Sequence, residues 1–108
     1  MDITSANLLV IEAQVIEALR TVFDPEIPVN VYELGLIYEV KVDPSGAIDI
    51  RMTLTSPNCP AAGTLPGEVQ EKAKTVPGVT DAKVEVVFDP PWDPSSMSEA
   101  AKLELGLL

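Results

Sequence analysis

The 108-residue chain contains no histidine and a single cysteine, Cys59. Without histidine it cannot build the cysteine–histidine pair of a thiol hydrolase or a zinc site of mixed cysteine and histidine ligands. One cysteine makes no internal disulfide framework, so nothing calls for an oxidising compartment, and the cytoplasm is the expected location. Basic residues are also scarce, with seven Lys and Arg against 17 Asp and Glu and a net charge of −10. Phosphate recognition needs clustered cations, so neither nucleic acid nor an anionic membrane is an expected partner. No apolar run approaches the length of a membrane span. Asp2 stands where a signal peptide would carry its basic region, and Glu12 interrupts the apolar run Leu8 to Ile11, so no secretory leader is expected. There is no glycine-rich phosphate loop, paired CxxC, serine triad or internal repeat.

Hydrophobic residues make up 46% of the chain, enough for a genuine core. The length suits one domain spanning residues 1–108. Leu8, Ile11, Val15, Leu19 and Val22 recur at steps of three and four. They predict a first helix capped by Thr4 or Ser5, running to about Phe23 and stopped near Asp24, because Pro25 forces the residue before it out of helical geometry. Residues 24–35 read as a stiff connector fixed by Pro25 and Pro28, with Gly35 meeting a positive φ or a close approach. Alternating apolar residues predict strands over 36–42 and 47–55, joined by the turn Asp43-Pro44-Ser45-Gly46 as an antiparallel hairpin. On the second strand Ile48, Ile50, Met52 and Leu54 point inward; Asp49, Arg51, Thr53 and Thr55 take the wetter face.

A second helix is expected from around Pro60, with Leu65, Val69, Ala73 and Val76 as its stripe and Pro77-Gly78 as its stop; Pro66-Gly67 predicts a kink or a late start. Residues 81–88 read as a third strand with Ala82, Val84, Val86 and Phe88 inward. The tail opens as an extended Asp89-Pro90-Pro91-Trp92-Asp93-Pro94 segment. Capping-box spacing in Ser96-Met97-Ser98-Glu99 then predicts a short helix over 97–105, ended by Gly106. The expected fold class is α+β: a small, mainly three-stranded mixed sheet with helices packed on one face, in the order helix, strand, strand, helix, strand, short helix. The third strand follows a helix, which allows it to run parallel to a hairpin strand.

Cys59 carries the sharpest chemistry. Pro57 and Pro60 bracket it, Asn58 can hydrogen-bond locally, and a helix start behind it would favour the thiolate. A thiolate at such a place binds iron or an iron–sulfur cluster, or accepts sulfur; a buried, inert thiol is the structural alternative. Asp24-Pro25-Glu26 sets two carboxylates on a proline turn, where they can hold a hard cation, accept loop N–H groups, or simply be solvated. Trp92 is either an anchor for a partner protein or the residue that packs the tail onto the sheet. Thr53 and Thr55 lead along the strand toward Cys59 and can line a site.

Taken together, Asp24 to Tyr38, Met52 to Pro60 with Cys59 within it, Pro77-Gly78-Val79, Pro90-Pro91-Trp92, Met97-Ser98-Glu99 and Leu105-Gly106 resemble the SufT-like family of metal–sulfur cluster biosynthesis proteins, a group that includes PaaD-like proteins. The resemblance covers about residues 9–107, with the motifs in the family's order. The segment Gly63 to Gly67 departs from it, where a more regular helix would be expected. The resemblance implies an accessory factor in iron–sulfur cluster assembly or in maturation of iron–sulfur proteins, and not an enzyme. Cys59 falls on the family's signature cysteine as the metal or sulfur contact. Asp24, Glu26, Thr53 and Thr55 fall on positions that support the site. The implied partners are iron–sulfur assembly proteins and apo-protein clients. One thiol does not meet the four cysteine-type ligands of a cluster, and a homodimer supplies only two, so a transient cluster or iron shared with a partner is expected rather than a permanently bound cofactor. The alternative is a non-catalytic adaptor that docks clients onto the assembly machinery, with Cys59 structural.

Overall fold

The structure is a computed structural model that describes residues 5–23, 29–54 and 64–106. Within them the order is α1 (Ser5–Leu19), β1 (Ile37–Val42), β2 (Ala47–Met52), α2 (Leu65–Lys74), β3 (Asp81–Val86), a single 3₁₀ turn (Pro94–Ser96) and α3 (Glu99–Glu104). The stripe on α1 is buried as its spacing predicts: Ile11, Val15, Leu19 and Val22 lie in the core, each contributing about 2 kcal/mol of apolar burial. The helix ends earlier than expected. At its last turn, Thr21 N–H and Val22 N–H bond back to Ala18 and Leu19 carbonyls. The Thr21 hydroxyl donates to the Ala18 carbonyl at 2.6 Å. These tight i→i−3 bonds satisfy the terminal carbonyls locally, so the chain leaves the helix before the proline compels it to. Phe23 instead forms an antiparallel bridge with Asn30.

The sheet has the order β1-β2-β3. β1 and β2 pair antiparallel through the Asp43–Gly46 turn, with Val42 opposite Ile48 and Ile37 opposite Met52. β2 and β3 pair parallel, from Ala47 opposite Asp81 to Met52 opposite Val86, with α2 as the crossover. The α+β class, the mixed sheet and the element order all agree with the sequence. The helices cover one face, where Ile48, Ile50, Met52 and Ala82 are buried together with Leu65, Val69 and Ala73 of α2.

The other face is charged. Glu39, Arg51 and Glu85 form one cross-strand row, and Lys41, Asp49 and Lys83 form the next. Each charge therefore has an opposite charge beside it, and Arg51 meets Glu85 at 3.4 Å.

The ends of β3 and α3 differ from the sequence expectation. β3 stops at Val86, and Phe88 is exposed rather than inward, because after Val87 N–H bonds the Met52 carbonyl no further N–H among the described residues joins the ladder. α2 begins at Leu65 with Pro66 in its first turn, the late start that Pro66-Gly67 predicts. α3 is capped by Ser98 rather than Ser96: the Ser98 side chain accepts the Ala101 N–H at 3.1 Å. Gly106 follows at φ +75°.

The tail returns across the connector. Ser98 N–H donates to the Glu33 carbonyl, and the Tyr38 hydroxyl donates to the Pro90 carbonyl. Gly35 has φ +79°, and a Cβ there would be driven into the Ser96 carbonyl. Both reasons anticipated for that glycine therefore hold.

Candidate functional site

Of the residues singled out in the sequence, Asp24, Glu26, Thr55 and Cys59 lie outside the described residues, whereas Thr53 and Trp92 lie within them. The structure does establish the frame that borders the two motif-bearing segments, 24–28 and 55–63. Val31 N–H donates to the Val22 carbonyl at 2.8 Å, Leu36 N–H to the Val31 carbonyl at 3.1 Å, and Thr53 N–H to the Leu36 carbonyl at 2.8 Å. These three bonds set Val22, Val31, Leu36 and Thr53 side by side. The backbone that enters the acidic motif is thereby tied, through two intervening strands of chain, to the backbone that leads into the cysteine segment. The Phe23–Asn30 bridge closes the neck of the acidic motif, so the chain leaves and re-enters at one place. Asn30 steadies the turn that follows, its side-chain oxygen accepting the Glu33 N–H at 2.9 Å.

Beside this frame a cleft opens between the end of α1 and the first turns of α2, lined by Thr21, Val22, Thr64, Glu68 and Gln70 among others. Val22 lies just before the acidic motif in sequence, and Thr64 directly follows the cysteine segment. The described residues that flank the two segments in sequence thus share one cleft. Thr64, with φ −123°, is the residue before α2 begins at Leu65; the helix start expected around Pro60 lies outside the described residues.

Thr53 differs from its expected placement. Rather than lying on a half-exposed face with Asp49 and Arg51, it is completely buried, between buried Met52 and Leu54. The strand's alternation ends at Met52, where pairing passes from β1 proper to the Leu36 carbonyl. Among the described residues the Thr53 hydroxyl makes one long contact of 3.5 Å, donating to the Leu54 carbonyl in a weak hydrogen bond.

Trp92 is half-buried against the core, and its indole N–H donates to the Leu34 carbonyl at 2.8 Å. Next to it, the Asp93 carboxylate accepts the Ser95 N–H at 2.8 Å, which holds the carboxyl below its ordinary pKa. Sequence reasoning gave no role to Arg20, Tyr32 or Glu33. Arg20 reaches the Glu33 carboxylate at 3.6 Å and lies over the Tyr32 ring, bracing the connector onto α1. No spacing signal in the sequence joins these positions.

Among the described residues no group of three or more acidic, cysteine or histidine side chains could hold a metal ion.

A family model described as iron–sulfur cluster assembly protein matches residues 12–86. The chain belongs to this family. Two relatives in the iron–sulfur cluster assembly family cover nearly all of it. An Fe-S protein maturation auxiliary factor of Porphyromonas gingivalis is 52% identical over 97 residues, spanning 90% of this chain and 92% of the relative. The Bacillus subtilis auxiliary factor YitW is 40% identical, spanning 90% of this chain and 95% of the relative. Among solved structures, a domain of unknown function, DUF59, from Bacillus anthracis superposes with a TM-score of 0.89 at 36% identity, covering 97% of this chain and all of that one. The family's α+β scaffold is thus present throughout, and the SufT-like resemblance read from the motifs agrees with these matches.

Proposed function

We propose that the chain is an accessory, non-catalytic factor that receives iron or an iron–sulfur cluster as cargo and passes it to apo-proteins in the cytoplasm. Cys59 is the contact, and Asp24 and Glu26 are the residues that position it. The observation that carries this reading is the frame: the backbone entering the acidic motif and the backbone entering the cysteine segment are tied together by three consecutive hydrogen bonds beside one cleft. Residues that share such a frame can act on one ligand. The names of the two relatives, both maturation auxiliary factors, support the same role.

Cys59 would bind as thiolate, forming a sulfur–iron bond as its proton leaves to solvent. The donor set suits transfer rather than storage. A cluster is held by four cysteine-type ligands, and this chain has one thiol and no histidine. The remaining positions must come from the assembly protein that delivers the cargo and then from the acceptor that takes it. Hand-over is then an exchange of one thiolate ligand for another, with no change in oxidation state. Thr53 and Thr55 border the cysteine segment and shape its approach. Trp92 keeps part of its ring exposed and offers a contact to a client. No helix among the described residues is long and apolar enough to cross a membrane.

Anaerobic reconstitution of wild type and Cys59→Ser with iron and sulfide, followed by metal analysis and transfer to an apo-acceptor, tests the proposal. Iron that depends on Cys59 and passes to the acceptor is the expected result. Equal stimulation of acceptor maturation by both proteins would make Cys59 structural and the chain an adaptor that docks clients.

A further inference from the structure

A second surface has its own set of lining residues, none shared with the cleft. A groove runs between the Phe23–Asn30 bridge and α3, floored by buried Val29 and Ala101 and flanked by Phe23, Ala100, Glu33 and Glu104. Phe23 is 53% exposed beside it. Leu103, one turn from Ala100 but outside the residues that line the groove, is 64% exposed. They are two of the five large hydrophobic side chains left exposed among the described residues. The sheet's open face, by contrast, is covered in paired charge. An exposed phenylalanine and leucine beside a groove with an apolar floor have the composition of a docking surface.

The rim decides what fits. Among the described residues Glu104 has no ion pair, and the Glu33 carboxylate pairs with Arg20 alone. Lys102, the one cation of α3, projects away from the groove side that Ala100, Ala101 and Glu104 define. The rim is therefore acidic on a chain of net charge −10. A second copy would bring acid against acid, which disfavours self-association. We infer that this groove docks a short basic, amphipathic segment of a partner protein, placing an apolar side chain against Phe23 and Val29 and cations against Glu104 and Glu33. No residue that lines the groove is one that the proposed function assigns to cargo.

Titration of the 15N-labelled full chain with a synthetic amphipathic leucine–lysine peptide, and with its leucine–glutamate counterpart, tests this. The leucine–lysine peptide should shift the amides of Phe23, Asn30, Ala100 and Glu104, and added salt should weaken it. The leucine–glutamate peptide should not bind. Phe23→Ser and Glu104→Lys should each weaken binding about tenfold, while Leu9→Ser, on exposed α1, should leave it unchanged. Glu104→Gln, an exposed and conservative change, keeps the test valid if Phe23→Ser fails to fold, and should weaken binding severalfold. Cys59→Ser should bind the peptide as wild type does, which separates this inference from the cargo reading. Shifts confined to the charged sheet face or to the region of Leu9 and Val10 would overturn it. So would equal binding of both peptides, or concentration-dependent shifts at Phe23 without peptide, which would assign the groove to a second copy.

Discussion

The indole N–H of Trp92 donates to the carbonyl of Leu34 at 2.8 Å, joining residues 58 positions apart in sequence. Leu34 is fully buried, so its carbonyl has no water to turn to when the indole is removed. Trp92→Phe keeps most of the apolar contact and loses the bond, and should cost about 1 kcal/mol. Trp92→Ala also loses packing against the core and should cost about 2 to 3 kcal/mol, below the value for a fully buried tryptophan because the ring is partly exposed. Urea unfolding of the two variants measures both; equal stability of Trp92→Ala and wild type would remove the tail strap as a structural element.

Gly35→Ala combines a positive φ with a clash against the Ser96 carbonyl, so the tail must shift before the methyl group fits. A loss of about 2 kcal/mol or more is expected. Gly106→Ala, also at positive φ but with open space around it, should cost only about 1 kcal/mol. Thermal unfolding of the pair separates clash from conformational strain.

Thr53→Val replaces a buried hydroxyl whose one hydrogen bond among the described residues is 3.5 Å long. Little bonding is lost, and the stability change should stay within about 1 kcal/mol. If the hydroxyl serves the cysteine segment, cargo transfer falls while unfolding is unchanged. A variant that unfolds early and transfers normally when folded would mark Thr53 as purely structural.

Asp24→Asn and Glu26→Gln should each slow transfer from Cys59 severalfold, with far-ultraviolet circular dichroism and unfolding midpoint preserved. Loss of the fold in both variants would assign the acidic motif to the connector's structure instead.

Asp93 and Asp43 each accept a backbone N–H, from Ser95 and Ser45, and each titrates below its ordinary value for that reason. A carboxyl with a depressed folded pKa contributes stability above its unfolded pKa and loses it as the pH falls through the folded pKa. The turns they hold should therefore be intact at neutral pH and loosen only below about pH 4. Carboxyl carbon shifts followed through acid titration should show both midpoints below those of Asp93 and Asp43 in unfolded peptides.

Much of the scaffold was legible because its signals are local. The α1 stripe, the Asp43–Gly46 turn, the alternation of Ile48, Ile50 and Met52, and the late start at Pro66 all follow from spacing and backbone restriction. What was missed depends on partners distant in sequence. Helix α1 ends where Thr21 and Val22 bond backward, before Pro25 can act. Thr53 is buried because the Leu36 carbonyl pairs with it, which its place in an alternating strand does not reveal. Phe88 fails to turn inward because the ladder closes at Val87. The chemistry of the site was legible as residue types, Cys59 with Asp24 and Glu26, since a lone thiol in a chain without histidine stands out. The frame beside it was not, because it is made of backbone groups at Val22, Val31, Leu36 and Thr53 that any side chain could have carried.

The paired rows on the open sheet face also have a consequence for how the molecule meets others. Three of its seven basic side chains sit there against four of its 17 acidic ones, Asp81 included, so that face carries little of the net charge of −10. Most of the excess negative charge then belongs to the rest of the chain. A chain with its charge so displaced carries a dipole, and a cationic protein diffusing toward it is turned before contact. Approach from solution would favour the side that bears the helices, and leave the sheet's open face trailing.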